Sequence, residues 1–439
     1  MRRDAEKELT LWKDRKDRYP LLIRGARQVG KSYLIETFAK EHFPDSVVIN
    51  FELQPQLKAC FLNLDPQEII NKIQLVMGVR ILKEKTLLFL DEIQECPQAI
   101  MSLRYFREKM PGLAVIGAGS LLEFALQNPD FKTPVGRIHF LYLEPLSFSE
   151  FLVAAGLEPL RQYLSTLNLS DTMDAVIHDK LLEWVRLYLI LGGMPAVLKE
   201  YFLSRDLAEC QHIQAGLLQT YRSDFGKYAK TSQQKYLQKI FDAAPRLVGQ
   251  RIKYSNIDAD TKSRELKHAM HLLEQAGVIR PVYATAASGV PLGAQIKENK
   301  FKIIFLDVGL MQNACGLQGD LSLATDFTQI NSGSVAEQFA GQELKATADK
   351  YQPRHLFFWA RDKRGSLAEV DYVVSIGTEI IPVEVKAGKT GKLKSLRSFM
   401  QEKKTRLGIR ISQEPLSRHD NILSIPFYMV ENLTRLSKV

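Results

Sequence analysis

The sequence predicts an α/β protein: a parallel-sheet domain built around a phosphate-binding loop, then a winged-helix module and a second, restriction-endonuclease-like α/β domain. Three observations lead there. An apolar strand runs through a glycine-framed turn into a helix near the start of the chain. Further apolar runs, SVVINFEL, TLLFLDEIQ, LAVIGAGS and IHFLYLEPLS, recur between helical stretches. Towards the end, one more helix precedes strands that carry charged residues where apolar ones are expected.

At 439 residues the chain exceeds one ordinary core, so we divide it into 1–206, 207–320 and 321–439. A 45% hydrophobic and 25% charged composition is that of a folded chain rather than a disordered or fibrous one. The start is basic without an apolar signal segment, and no uninterrupted apolar run reaches the roughly 20 residues of a membrane span. The expectation is a cytoplasmic protein with no membrane partner. Cys60, Cys96, Cys210 and Cys315 are widely spaced, which favours reduced packing residues over zinc or disulfide frameworks. A net charge of +9 supports nucleic-acid binding only where the charge is concentrated.

In the first domain, YPLLIRGARQVGKSYLIETFAKEH places Leu34, Ile35, Phe38 and Ala39 on one helix face. Its turn, Gly25-Ala26-Arg27-Gln28-Val29-Gly30-Lys31-Ser32, followed by Tyr33, has the GxxxxGK[ST] spacing that aims backbone N–H groups at phosphate oxygens. Lys31 is expected on the outer phosphates of ATP and Ser32 on Mg2+. Asp91 ends the apolar run TLLFLD and completes the metal's ligands, while Glu92 beside it is set to orient or deprotonate the attacking water. Ser120, ending LAVIGAGS, can sense the terminal phosphate.

The stretches GARQVGKS, LLFLDEIQ, GAGSLL, VGRIHFLYLEPLSFSEF, LGGMP, YRSDFGKY, LLEQAGVI, FLDVGL, SVAEQF, EVDYVV and PVEVKAG together resemble prokaryotic AAA+-like ATPases that carry a C-terminal domain of unknown function. The resemblance implies an ATPase module, a winged-helix-like module and a nuclease-like module. It also implies that Gly193-Met194-Pro195 touches the adenine, with Pro195 at the contact, and that Arg137 reaches the γ-phosphate within the chain or from a neighbour. Arg104 and Arg107 compete for that role, and both a monomer and a homo-oligomer stay open.

Residues 207–230 read as a polar connector. The stretch 234–317 reads as short helices, a helix ending at Gly277 and two strand-like runs, the order of a winged helix, with Lys262, Arg264 and Lys267 offering phosphate contacts. His268 and His271 lack a third metal ligand nearby.

In the last domain, Asp371 on one strand and Glu384-x-Lys386 on the next resemble the PD-(D/E)xK nuclease arrangement. There, two carboxylates hold a second Mg2+ or Mn2+ and the lysine positions water. Glu337 on the preceding helix matches the position that often completes such a site, and Val370 stands where the nominal motif has proline. The run after the ExK strand is basic, with Lys386, Lys389, Lys392, Lys394, Arg397, Lys403, Lys404, Arg406 and Arg410, and predicts DNA as the partner. Two functions follow: an ATPase that gates a metal-dependent action on DNA, or a regulatory ATPase switch whose last domain only binds DNA or a partner.

Overall fold

The computed structural model describes residues 1–126, 136–317, 332–361, 368–388 and 391–438. Lys389 and the boundary between 320 and 321 lie outside these residues.

Five short apolar segments form the first sheet: β1 (Leu21–Arg24), β2 (Asp45–Asn50), β3 (Thr86–Asp91), β4 (Ala114–Ala118) and β5 (His139–Tyr142). All neighbours are parallel, in the order β2-β3-β4-β1-β5. Strands β3 and β4 are buried along their whole length, as expected of strands covered on both faces. Side-chain alternation splits them between two cores: Ile23, Phe89 and Ile116 face one, and Leu22, Leu88, Leu90 and Val115 face the other. The helix Lys31–His42 buries Leu34, Ile35, Phe38 and Ala39, the face read from the sequence. The residues expected at the nucleotide therefore collect at the carboxyl ends of β1, β3 and β4.

The two strand-like runs read in the middle stretch pair with each other and also join a larger sheet. β6 (Ile279–Thr285) and β7 (Ile296–Phe305) pair antiparallel, but β6 also pairs in parallel with β8 (Leu356–Ala360). With β9 (Glu369–Ile376), β10 (Glu379–Val385), β11 (Gly408–Ser412), β12 (Ser417–His419) and β13 (Ile422–Pro426) they form one sheet, ordered β12-β13-β11-β10-β9-β8-β6-β7. A free-standing wing would leave the second edge of β6 to solvent; here β8 satisfies its backbone groups, so the sheet crosses the division drawn at 320. The helix Ser332–Ala346 joins this sheet to the first module, because Phe339 packs on both Phe148 and Tyr188. One hydrophobic core accordingly runs from Leu9 and Ile23 to Phe427.

Among the described residues no single helix is long and apolar enough to cross a membrane. The pair Ala175–Leu191 and Pro195–Ser204 passes that test only together, bent by 119°. All four cysteines are free thiols, and Cys60, Cys96 and Cys210 are buried.

Candidate functional site

The loop after β1 is shaped by close approach. A side chain on Gly25, whose φ is +152°, would meet the Leu143 carbonyl oxygen at 2.2 Å, so only glycine fits. Gly30, at φ 93°, starts the helix Lys31–His42, leaving that helix's first N–H groups turned to the loop. Within the loop Lys31 is 7% exposed and its Nζ donates to the carbonyls of Gly25 at 3.0 Å and Ala26 at 2.8 Å. Burial lowers its pKa to about 8 against the opposing pull of Glu92 and Asp91.

Ser32 Oγ lies 3.1 Å from both carboxylate oxygens of Asp91, which also accepts from Asn50 Nδ2 at 3.0 Å. Burial and the neighbouring Glu92 raise the Asp91 pKa. A hydroxyl and a carboxylate converging beside a helix N-terminus are the donor set of a hard divalent cation carried by a nucleotide, so these residues fit MgATP. Glu92, at φ 47°, accepts from Gln94 Nε2 at 2.6 Å and from Ser120 Oγ at 3.4 Å. The acid and the expected sensor are thus brought together.

Several partners of the loop were not legible in the sequence. Arg27 donates to both oxygens of Asp224, at 2.6 and 2.8 Å, and its carbonyl accepts from Tyr221 Oη at 2.7 Å. The connector YRSDFGKY therefore forms a wall of the site. On the other side Arg3, 7% exposed, donates to Val29 O at 2.9 Å, to Glu144 O at 2.6 Å and to Glu150 at 3.1 Å. Glu150 is itself the N3 residue of a capping box begun by Ser147. Ala26 lies against Gly277, Pro195 lies against Gly30, and Tyr33 is exposed. Arg137 is half exposed and pairs with Glu108 at 3.2 Å, which also holds Arg104, while Arg107 stacks on Tyr19.

The turn at Gly193 is tied to the rest of the chain by Asp307, which is fully buried. Its Oδ2 accepts from Gly193 N at 2.6 Å and Gln342 Nε2 at 3.3 Å, and its Oδ1 from Leu310 N at 3.1 Å. Gln342 also donates to Tyr188 Oη at 2.9 Å and accepts from Val308 N at 2.8 Å. The expected motif FLDVGL thus contributes a helix cap that reaches the turn beside the phosphate loop.

In the last sheet, Glu384 Oε1 accepts from Lys386 Nζ at 2.7 Å and Asp371 Oδ2 from Val385 N at 2.8 Å. Burial raises the Glu384 pKa to about 7, with Asp371 adding to it, and the Glu337 pKa to about 8. The unexpected member is Lys302 of β7, whose side chain is 1% exposed. Its Nζ is 2.8 Å from Glu337, 2.6 Å from Glu369 and 3.8 Å from Asp371, over the Phe358 ring. Sequence did carry a signal for it: a lysine inside the apolar run Phe301-Lys302-Ile303-Ile304-Phe305 must find charge inside the fold. Among the described residues, no three His, Cys, Asp or Glu are grouped to hold a metal ion. The basic face is exposed at Lys392, Lys394, Arg397, Lys404 and Arg406.

With this geometry in view, residues 17–152 match the family described as AAA domain. Together with the loop, Ser32 and Asp91, that match supports an AAA+-like ATPase core in the N-terminal module. Residues 182–321 and 332–428 match two domains of unknown function, DUF8612 and DUF4143. No curated protein matches the chain. Among solved structures the chain is similar to the Walker-type ATPase PABY2304 of Pyrococcus abyssi, at 15% identity over 72% of this chain and 95% of that one, TM-score 0.45. It is also similar to the Aeropyrum pernix ORC2 protein in ADPNP–ADP complexes, at 12% identity over 73% and 94%, TM-score 0.34. A third is the Thermotoga maritima RuvB Holliday junction branch migration motor, at 15% identity over 63% and 88%, TM-score 0.27.

Proposed function

We propose that this chain is an ATP-hydrolysing switch that passes its nucleotide state to a DNA-engaging C-terminal half. The observation that carries the reading is the double attachment of the phosphate loop. Arg27 is paired with Asp224, and Pro195 at Gly30 belongs to the turn that Asp307 fastens to Gln342.

MgATP would be held by the loop N–H groups and Lys31, with Ser32 and Asp91 towards the magnesium. The bound ion would neutralise charge on the outer phosphates. Glu92 takes a proton from, or orients, the attacking water, and Ser120 beside it responds to the presence of the terminal phosphate. Motion of Arg27 on nucleotide binding acts on the connector 207–230, and motion of Gly193 acts on Asp307 and the helix Ser332–Ala346. The exposed basic face after β10 then meets DNA phosphates. Arg137 serves a neighbouring copy if the active form is a ring, and the pairing with Glu108 is released on assembly.

The test is ATP turnover and ATP binding measured side by side. Lys31→Ala is expected to lose both. Glu92→Gln is expected to keep binding and lose turnover by about 10²- to 10⁴-fold, the usual contribution of a positioned base. Unchanged turnover in Lys31→Ala would remove the reading.

A further inference from the structure

The carboxylates around Lys302, on the last sheet and on the helix Ser332–Ala346, invite comparison with a two-acid metal site, and the surroundings of each oxygen can be followed. Glu337 directs Oε1 to Lys302, while its Oε2 lies against Gly249, where an added side-chain carbon would stand 2.6 Å away. Glu369 gives Oε1 to Lys302 and Oε2 to Arg251, each at 2.6 Å. Asp371 turns Oδ1 towards Lys302 at 3.8 Å and gives Oδ2 to the Val385 N–H. Glu384 gives Oε1 to Lys386, and its Oε2 is buried without a hydrogen-bond partner. A hard divalent ion needs about six oxygens around it, several from protein carboxylates or water. Glu337 Oε2, Asp371 Oδ1 and Glu384 Oε2 accept no hydrogen bond among the described residues, but a buried ammonium stands 2.8 Å from Glu337 and 3.8 Å from Asp371, and no three acids there are grouped to hold a metal ion.

We infer that the Lys302 ammonium is the resident cation of this cluster, standing where a divalent metal would stand, so that the C-terminal half engages nucleic acid without cutting it. The charges agree. Four carboxylates face Lys302, Lys386 and Arg251, which leaves at most one negative charge uncompensated rather than the excess that draws in a divalent ion. Lys302 is held in place: its side chain is 1% exposed, and withdrawing it leaves the buried Glu337 without its cation. Its metal part is independent of ATP hydrolysis, because it concerns a site on β7, β9, β10 and the helix Ser332–Ala346, while the engagement of nucleic acid rests on the function proposed above.

The experiment uses the full chain without nucleotide, carrying Asp91→Asn to silence the metal position of the ATPase core, and reads Mn2+ binding by electron paramagnetic resonance. Adding Asp371→Asn is expected to change nothing, because no Asp371-dependent site exists to be lost. Adding Lys302→Gln is expected to create an Asp371-dependent site at least tenfold tighter than any background. Mn2+ binding that falls on Asp371→Asn while Lys302 is intact overturns the inference. So does Mn2+-dependent DNA cleavage abolished by Lys386→Ala. A folded Lys302→Gln chain that gains no site overturns the part assigned to Lys302; where that variant does not fold, the Asp371→Asn comparison decides alone.

Discussion

Replacing Asp307 tests whether the turn beside the phosphate loop is held from the far side of the chain. Its carboxylate accepts from two backbone N–H groups, Gly193 and Leu310, and from the Gln342 amide, all buried. Asp307→Ala leaves these three donors unpaired at about 1–3 kcal/mol each, and the losses overlap because the groups share one cavity. The expected destabilisation is about 4 kcal/mol. Asp307→Asn keeps one acceptor oxygen but presents an NH2 group to a donor, so about 2 kcal/mol is expected. Urea unfolding followed by circular dichroism measures both, with ATP affinity measured on the same samples, since Gly193 leads into Pro195 at the loop. An alanine variant within about 0.5 kcal/mol of the parent would refute the reasoning, because that is the range of a surface change.

Arg3→Ala breaks a buried ion pair with Glu150 and frees the Val29 carbonyl; about 3–5 kcal/mol of stability should be lost, and Arg3→Met with Glu150→Gln should recover part of it in the same unfolding assay. Burial pushes the Glu343 pKa from 4.5 up to about 8, so the folded chain keeps a proton that the unfolded chain releases near 4.5. Its contribution to stability therefore falls as pH rises from about 4.5 to 8, and Glu343→Gln should flatten the melting-temperature profile between pH 5 and 7.5. For the basic face, four engaged phosphates give a log–log salt slope of roughly −3 to −4 for duplex DNA. Lys394→Ala with Arg397→Ala should reduce its magnitude by about 1.8, and a slope near zero would show a merely solvated surface.

What could be read in advance was what lies close together in sequence. Gly25 to Ser32 declares itself in eight consecutive residues, and Asp91 ends an apolar run that only a buried strand explains. Likewise the helix Ser332–Ala346 and strands β8 to β10 follow from local periodicity. The partners Asp224, Arg3 and Asp307 were hidden because each acts on a residue distant in the chain, and for Lys302 the apolar run showed the need for a partner but not which one. Arg27 and Asp224, for example, are separated by 197 positions. Nothing local distinguishes an aspartate that caps a connector helix from one that also grips a phosphate loop. The pairing of β6 with β8 was hidden for a related reason: a strand's second edge leaves no mark in its own side-chain pattern.

The helix Ser332–Ala346 works like a key cut to fit three locks. Gln338 holds the N–H and carbonyl of Phe305, Gln342 holds Val308 and Tyr188, and Glu343 holds Phe148. Gln338, then Gln342 and Glu343 one turn further on, engage three different segments at once, so turning the helix by one residue would unseat every tooth together. If nucleotide binding moves either end, as proposed above, these contacts favour displacement of the whole rod over a local twist.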